Sequence, residues 1–293
     1  MRVAVVGLGG VGGYIAGYFA KAGIDVVGFA RGEHLDAIQK NGLEIVEDTQ
    51  SFNVKLQAQT LQEAKGTFDV ILFCVKSYDL EQSYKAIAPH TTQNTILLSF
   101  SNGVNSAEVL QQLSQSIVLQ GAIYILSHIQ KAGVIRKKGK VFAAVFGGEN
   151  QDAVQKVASL FEQANLRYKT PQNIDEALWK KYIFIATFAT LTSYYDKPIF
   201  SIYKEHFNEA KQLLEEIALV AKQKGLDIED EIEKSLKTAS NLPEKSSTSM
   251  HLDFQNNKKT ELETLSGYIV QEAQKHNVEV PLMQKLYKEL LKK

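Results

Sequence analysis

The chain opens on a short β-branched run, Arg2–Val6, after which apolar positions recur with helical spacing through Tyr14, Phe19 and Ala20 until Gly23 breaks the pattern. A second such run follows at Asp25–Phe29, and helical period returns between Glu33 and Gln39. Leu43–Val46 and Phe52–Leu56 predict two further strands. Phe68–Val75 is nearly all apolar, as a strand buried on both faces of a parallel sheet should be, and Thr95–Ser99 repeats the theme ahead of a helix at Ser106–Leu113. Strand alternating with helix in this way predicts a doubly wound α/β domain.

Between Ile117 and Gly148 strand follows strand, with turns expected at Lys131–Gly133 and Lys137–Gly139, which predicts antiparallel strands extending the sheet. A helix over Asp152–Ala164 and a strand at Leu166–Tyr168 complete a first domain, residues 1–170, and Thr170-Pro171-Gln172-Asn173 marks its end. Residues 171–293 are helical in period almost throughout, predicting an all-helical second domain. Asn173 and Glu176 have capping-box spacing, with Asn in place of Ser or Thr, and open a long helix through Trp179 and Lys181. Leu213, Leu214, Ile217, Ala218, Val220 and Ala221 form one apolar stripe, Leu262, Leu265 and Ile269 mark another, and Pro281 suits the first turn of the last helix. Ala239–Lys259 is the one long polar, turn-rich stretch.

Composition narrows the partners. Thirty-three basic residues balance thirty-three acidic ones, so no whole-chain field exists to hold nucleic acid or an anionic membrane. The 44% hydrophobic and 23% charged content excludes disorder as the dominant state. The longest uncharged apolar stretch, Tyr182–Tyr195, falls short of the ~20 residues that span a bilayer, and no cleavage motif follows the apolar N-terminus. The single cysteine, Cys74, has no disulfide partner, and six scattered histidines offer no metal-ligand spacing, so no metal site is expected and a reducing cytoplasm is the natural compartment.

The sharpest motif is Gly7-Leu8-Gly9-Gly10-Val11-Gly12, a G-x-G-x-x-G where a first strand ends and a helix begins. Gly7 allows a tight turn, Gly9 lets backbone approach a pyrophosphate and Gly12 permits close packing of helix on strand, so a dinucleotide site is expected; the plainer alternative is a structural turn. The second strand ends in Ala30-Arg31-Gly32 without an acid to bind a ribose 2′-hydroxyl. The Arg31 guanidinium suits a 2′-phosphate and so NADPH, unless it is a plain surface arginine. Lys76 and Asn102 follow two further strands at the edge where ligands of open α/β sheets collect, either as ligands or as loop residues. Lys181 has Ile185 and Ala189 at i+4 and i+8, an otherwise apolar face, so it either snorkels to water or is a desolvated acid at a cleft. No H-E-x-x-H or G-x-S-x-G occurs.

These residues, with Leu178-Trp179-Lys180-Lys181 and a Ser249-Met250…Thr260-Glu261 pair, resemble the ketopantoate reductase family over nearly the whole chain. The resemblance implies an N-terminal Rossmann NADPH-binding domain, a helical substrate domain, and NADPH-dependent reduction of 2-dehydropantoate to pantoate in pantothenate biosynthesis. Another 2-oxo acid, or NADPH sensing without turnover, are the alternatives. It also implies Lys181 as general acid, Asn102 and Lys76 contacting cofactor and substrate, Ser249 as a substrate ligand and Glu261 near the nicotinamide ribose and substrate. Partners are then a small 2-oxo acid and, at most, a second copy of the chain in a homodimer. Where the family carries asparagines at i+4 and i+8 from the lysine, this chain has Ile185 and Ala189, and Asn256-Asn257-Lys258-Lys259 replaces a glycine-arginine type turn.

Overall fold

The computed structural model describes residues 1–293 and divides into two compact units, Met1–Ser101 with Asn105–Ile174, and Asp175–Lys293 with the short segment Asn102–Val104. The first unit begins β1 (Arg2–Val6), α1 (Gly10–Lys21), β2 (Asp25–Phe29), α2 (Gly32–Asn41), β3 (Leu43–Val46), β4 (Ser51–Val54) and β5 (Gln57–Gln59). It continues β6 (Val70–Phe73), α3 (Leu80–Ile87), β7 (Ile96–Ser99), α4 (Ser106–Leu113), β8 (Ile117–Lys131), β9 (Val134–Gly147), α5 (Gln151–Gln163) and β10 (Tyr168–Lys169).

The strands form one sheet in the order β4-β3-β9-β8-β7-β6-β1-β2-β5, with β10 paired to β9 off that path. From β8 to β5 every pairing is parallel. Alternation along the central strands feeds two cores: Val3, Val5, Val70, Leu72, Ile96 and Leu98 pack on one face, and Ala4, Val6, Ile71, Phe73 and Leu97 on the other. Both faces being covered is why these runs read as continuously apolar.

The α/β class expected from the pattern, followed by a helical domain, is the observed one, with three local corrections. No turn forms at Lys137–Gly139, because β9 runs through it; Ile125 pairs Phe142 and Ser127 pairs Lys137, so two steps of β8 face five of β9 in a bulge, where Gly139 takes φ +67°. The strand expected at Phe52–Leu56 is β4, Ser51–Val54, antiparallel to β3 at one end of the sheet order, and a strand the pattern did not mark, β5, pairs parallel with β2 at the other end. The strand expected at Leu166–Tyr168 lies instead at Tyr168–Lys169, beside Ala144 and Val145.

The second unit holds α6 (Ile174–Tyr195), α7 (Ile199–Glu205), α8 (Phe207–Gln223), α9 (Asp230–Asn241), α10 (Ser249–Gln255), a π-helical turn at Glu263–Gly267, α11 (Tyr268–Lys275) and α12 (Pro281–Leu290). The apolar stripe of α8 is buried as its period demands. Ala239–Lys259 is less irregular than its composition implies, since α9 ends inside it and the seven-residue α10, too short to show a period, lies within it. Two buried side chains organise these helices through tertiary hydrogen bonds. Buried Glu216 of α8 accepts the first-turn amides of Leu282 (3.0 Å) and Met283 (2.8 Å), capping α12 from outside. Tyr182 of α6 donates to the Thr264 and Leu265 carbonyls, each at 2.9 Å, in the π turn. No helix is long and apolar enough to cross a membrane.

Phe161 of α5 is fully buried and packs against Phe19 and Phe146 at 5.4 Å, Phe100 at 6.1 Å and Tyr168 at 6.4 Å. Phe161→Ala is expected to cost the first unit about 3–5 kcal/mol by leaving a cavity that the surrounding rings cannot fill. Urea unfolding measures this, and a loss below about 1 kcal/mol would show that the site collapses freely.

Candidate functional site

Strand register collects the sequence-predicted loops of the first unit. Val6 pairs with Phe29 and Phe73, and Phe73 with Ser99, so four parallel strands end level and their following segments leave from one edge. Gly7–Gly12, Arg31 and Lys76 therefore share that edge, the place where open α/β sheets bind ligands. The segment Asn102–Val104, which follows β7, packs with the helical unit.

The glycines of the first loop differ in what they answer to. Gly7 takes φ +93°, a Cβ on Gly10 would lie 2.4 Å from the Ser127 carbonyl oxygen, and one on Gly12 would lie 2.0 Å from the Gly7 oxygen. Backbone conformation and packing dictate these three. Gly9 has φ −68°, and a Cβ there would meet nothing within 4 Å. The space over Gly9 opens at the N-terminus of α1, which has neither a side-chain cap nor an acidic residue in its first turn. Backbone amides and the positive end of the helix dipole suit an anionic pyrophosphate there, and the cradle is one that any side chain at position 9 would fill. Leu8 is buried against Gly28 and Val11 packs on the core, so both offer the loop only their backbone.

His34, which no ligand spacing singles out, holds this loop. Its Nδ1 accepts the Gly133 amide at 3.1 Å, which leaves the proton on Nε2 to donate to the Leu8 carbonyl at 2.9 Å. Burial lowers its pKa and keeps the ring neutral in that tautomer. Arg31, the residue before α2, has a guanidinium 92% exposed, 3.9 Å from Asp79. Lys76 is half-buried just before the 3₁₀ turn Ser77–Asp79.

In the helical unit three residues far apart in sequence come together. Asn102 Nδ2 donates to Glu261 Oε2 at 3.2 Å across 159 positions, and Glu261 bears electrostatically on Lys181. Desolvation lowers the Lys181 ammonium to about 8, and the Glu261 carboxylate opposes part of that fall. Its neighbour Lys180 pairs with Glu176 at 2.7 Å on the surface, and that hydrogen bond raises its pKa. Tyr182, next to Lys181, bonds the π turn that follows Glu261, which brings α6 and Glu261 into register. A lysine titrating near 8 holds a proton at neutrality and releases it readily, as a general acid must.

Ser249 is exposed on the first turn of α10, outside this trio. Its helix is anchored instead by residues that spacing did not mark: the Thr248 hydroxyl accepts the His251 amide at 3.2 Å, and the His251 ring bonds Ser247 Oγ (2.6 Å) and Asp196 Oδ1 (2.7 Å).

Residues 3–149 match the model of the family described as ketopantoate reductase PanE/ApbA, and residues 173–293 match that of its C-terminal domain. The uncharacterized oxidoreductase YkpB of Bacillus subtilis is 28% identical, over 99% of this chain and 98% of its own. A 2-dehydropantoate 2-reductase of Pyrococcus abyssi is 27% identical, over 96% of this chain and 94% of its own. The crystal structure of 2-dehydropantoate 2-reductase from Porphyromonas gingivalis superposes with a TM-score of 0.86 at 33% identity, covering 99% of each chain.

Because Glu261 supports the protonated form of Lys181, Glu261→Gln, which keeps a carbonyl oxygen for Asn102, is expected to move the lysine midpoint further below about 8. Titration of 15Nζ-labelled lysine by NMR reads that midpoint directly. A midpoint that stays put would show that the two side chains are electrically uncoupled.

Proposed function

This chain belongs to the ketopantoate reductase family and is an oxidoreductase, and we propose that it uses NADPH to reduce a 2-oxo acid to the 2-hydroxy acid. The trio of Lys181, Glu261 and Asn102 carries this proposal. NADPH supplies the hydride, so the protein must hold the oxo acid, stabilise the charge that grows on the ketone oxygen and deliver one proton to it. The Lys181 ammonium does the last two: held within ~2.6–3.2 Å of the oxygen it stabilises the alkoxide and then protonates it. Glu261 keeps that ammonium charged despite burial, and the Asn102 amide, bonded to Glu261, orients the carboxylate. In the same reading Ser249 contacts the substrate, while Gly7–Gly12, Lys76 and Arg31 hold the cofactor. A protein that merely sensed NADPH would gain nothing from a desolvated ammonium, which costs stability to bury. The lone free thiol, Cys74, suits the reducing cytoplasm as compartment.

The exposed Arg31 fork offers a charge-assisted contact to a 2′-phosphate, worth roughly 1.5–3 kcal/mol, so NADPH is expected to bind about ten- to a hundredfold tighter than NADH. Arg31→Ala should erase most of that difference in calorimetric titrations of the two cofactors, and equal affinities in the unaltered protein would assign Arg31 to the surface.

Lys181→Ala is expected to lower kcat while leaving NADPH affinity nearly unchanged, and Lys180→Ala to do neither. The donor form of Lys181 disappears as pH rises through about 8, so kcat should fall there rather than near the ordinary lysine value of 10.5. Stability linked to Lys181 has the opposite sign. Between about 8 and 10.5 the unfolded chain holds a proton that the folded one has lost, so this residue's contribution rises with pH. A rate flat to pH 10, or greater damage from Lys180→Ala, would assign the acid elsewhere.

A further inference from the structure

On α6, the helix that carries Lys181, the next turn presents Phe184 and Ile185 at i+3 and i+4, both half-exposed although most apolar side chains of this helix are buried. Helical side chains lean toward the N-terminus, so these two lie over the turn that carries the lysine. Phe188 backs Phe184 with ring centroids 4.8 Å apart, and buried Ala189 adds no polar group.

The hydroxyls of α6 are directed elsewhere. Thr187 and Thr190 are fully buried away from this face, and Thr190 Oγ1 is engaged with the Ala186 carbonyl and Ser266 Oγ, each at 2.7 Å. Thr192 is likewise buried, bonded to the Phe188 carbonyl (2.6 Å) and Thr248 Oγ1 (2.8 Å). Ser193 is buried near the helix end. Thr187 Oγ1 and Ser193 Oγ have no partner but are shut inside the helical core, so the face of the helix beside the proposed acid offers a substrate tail the carbon and aromatic surface of Phe184 and Ile185.

We propose that the 2-oxo acid reduced here has an apolar tail, branched aliphatic or aromatic, seated against Phe184 and Ile185. The inference rests on the 2-oxo acid reductase proposed above and adds the class of its substrate. A tail hydroxyl brought against this surface leaves its water partners and finds none in their place, whereas a hydrocarbon tail gains by burial.

The test compares kcat/KM for two oxo acids that differ by one tail hydroxyl, 2-dehydropantoate and 3,3-dimethyl-2-oxobutanoate, with NADPH as reductant. The expected result is that the deoxy acid equals or exceeds 2-dehydropantoate. Ile185→Asn should shift the ratio toward 2-dehydropantoate by about tenfold or more, since a site that hydrogen-bonds a hydroxyl discriminates strongly for it. Preference for 2-dehydropantoate in the unaltered enzyme overturns the inference while leaving the reductase intact, as does a ratio unmoved by Ile185→Asn. If neither acid is turned over, the reductase proposal is what fails, and the tail preference is decided by calorimetry on the NADPH-loaded protein. There, tighter binding of the deoxy acid supports it, and tighter or equal binding of 2-dehydropantoate overturns it.

Discussion

One desolvated ammonium sets the terms for the helical unit. Withdrawing a lysine from water costs stability unless an opposite charge compensates, and for half-buried Lys181 the compensation is partial: Glu261 resists the desolvation-driven fall in its pKa without restoring the ordinary value. That imbalance is useful. Complete compensation would leave the lysine no readier than usual to release a proton, as at surface Lys180, where the Glu176 hydrogen bond raises the pKa. The surrounding architecture keeps the balance: the π turn after Glu261 is held by Tyr182, the residue beside Lys181, and Asn102 occupies one oxygen of the carboxylate. Two adjacent lysines on one helix therefore have opposite electrostatic fates, decided by what each faces.

The α/β unit applies a different constraint to its loop, close approach of backbone to backbone. Gly7, Gly10 and Gly12 exist because conformation or a neighbouring carbonyl leaves no room for a Cβ, and Gly9 because the room above it stays open. His34 adds rigidity from a distance, its two ring nitrogens joining the Leu8 carbonyl to Gly133 at the β8–β9 turn. A loop held in this way presents its amides without first having to be ordered, which favours anion binding.

The substrate side of the proposed site follows from the helix period. Residues at i+3 and i+4 from Lys181, the proposed acid, are Phe184 and Ile185. The threonines that could have supplied polarity face the helical core, where Ser266 and Thr248 satisfy two of them. The same helix thus buries its hydroxyls within a mainly apolar core and leaves Phe184 and Ile185 half-exposed one turn beyond Lys181.

What was legible in the sequence was what depends on neighbours along the chain. The alternation of strand and helix, the glycine motif, the stripe of α8 and Pro281 at the start of α12 are local periodicities or backbone requirements, and each stands where the pattern placed it. Arg31 at the end of β2 was legible for the same reason. Tertiary structure alone decided the rest, because the deciding forces act between residues remote in sequence. The bulge that replaces a turn at Lys137–Gly139 arises from pairing with β8, and the separation of β4 from β5 from partners at opposite ends of the sheet. The roles of His34, His251 and Glu216 are hydrogen bonds to distant elements, which no spacing encodes. Whether Lys181 snorkels or is desolvated could not be read from its flanking residues. Burial together with a carboxylate eighty positions away sets its charge, and only the folded chain brings that carboxylate near.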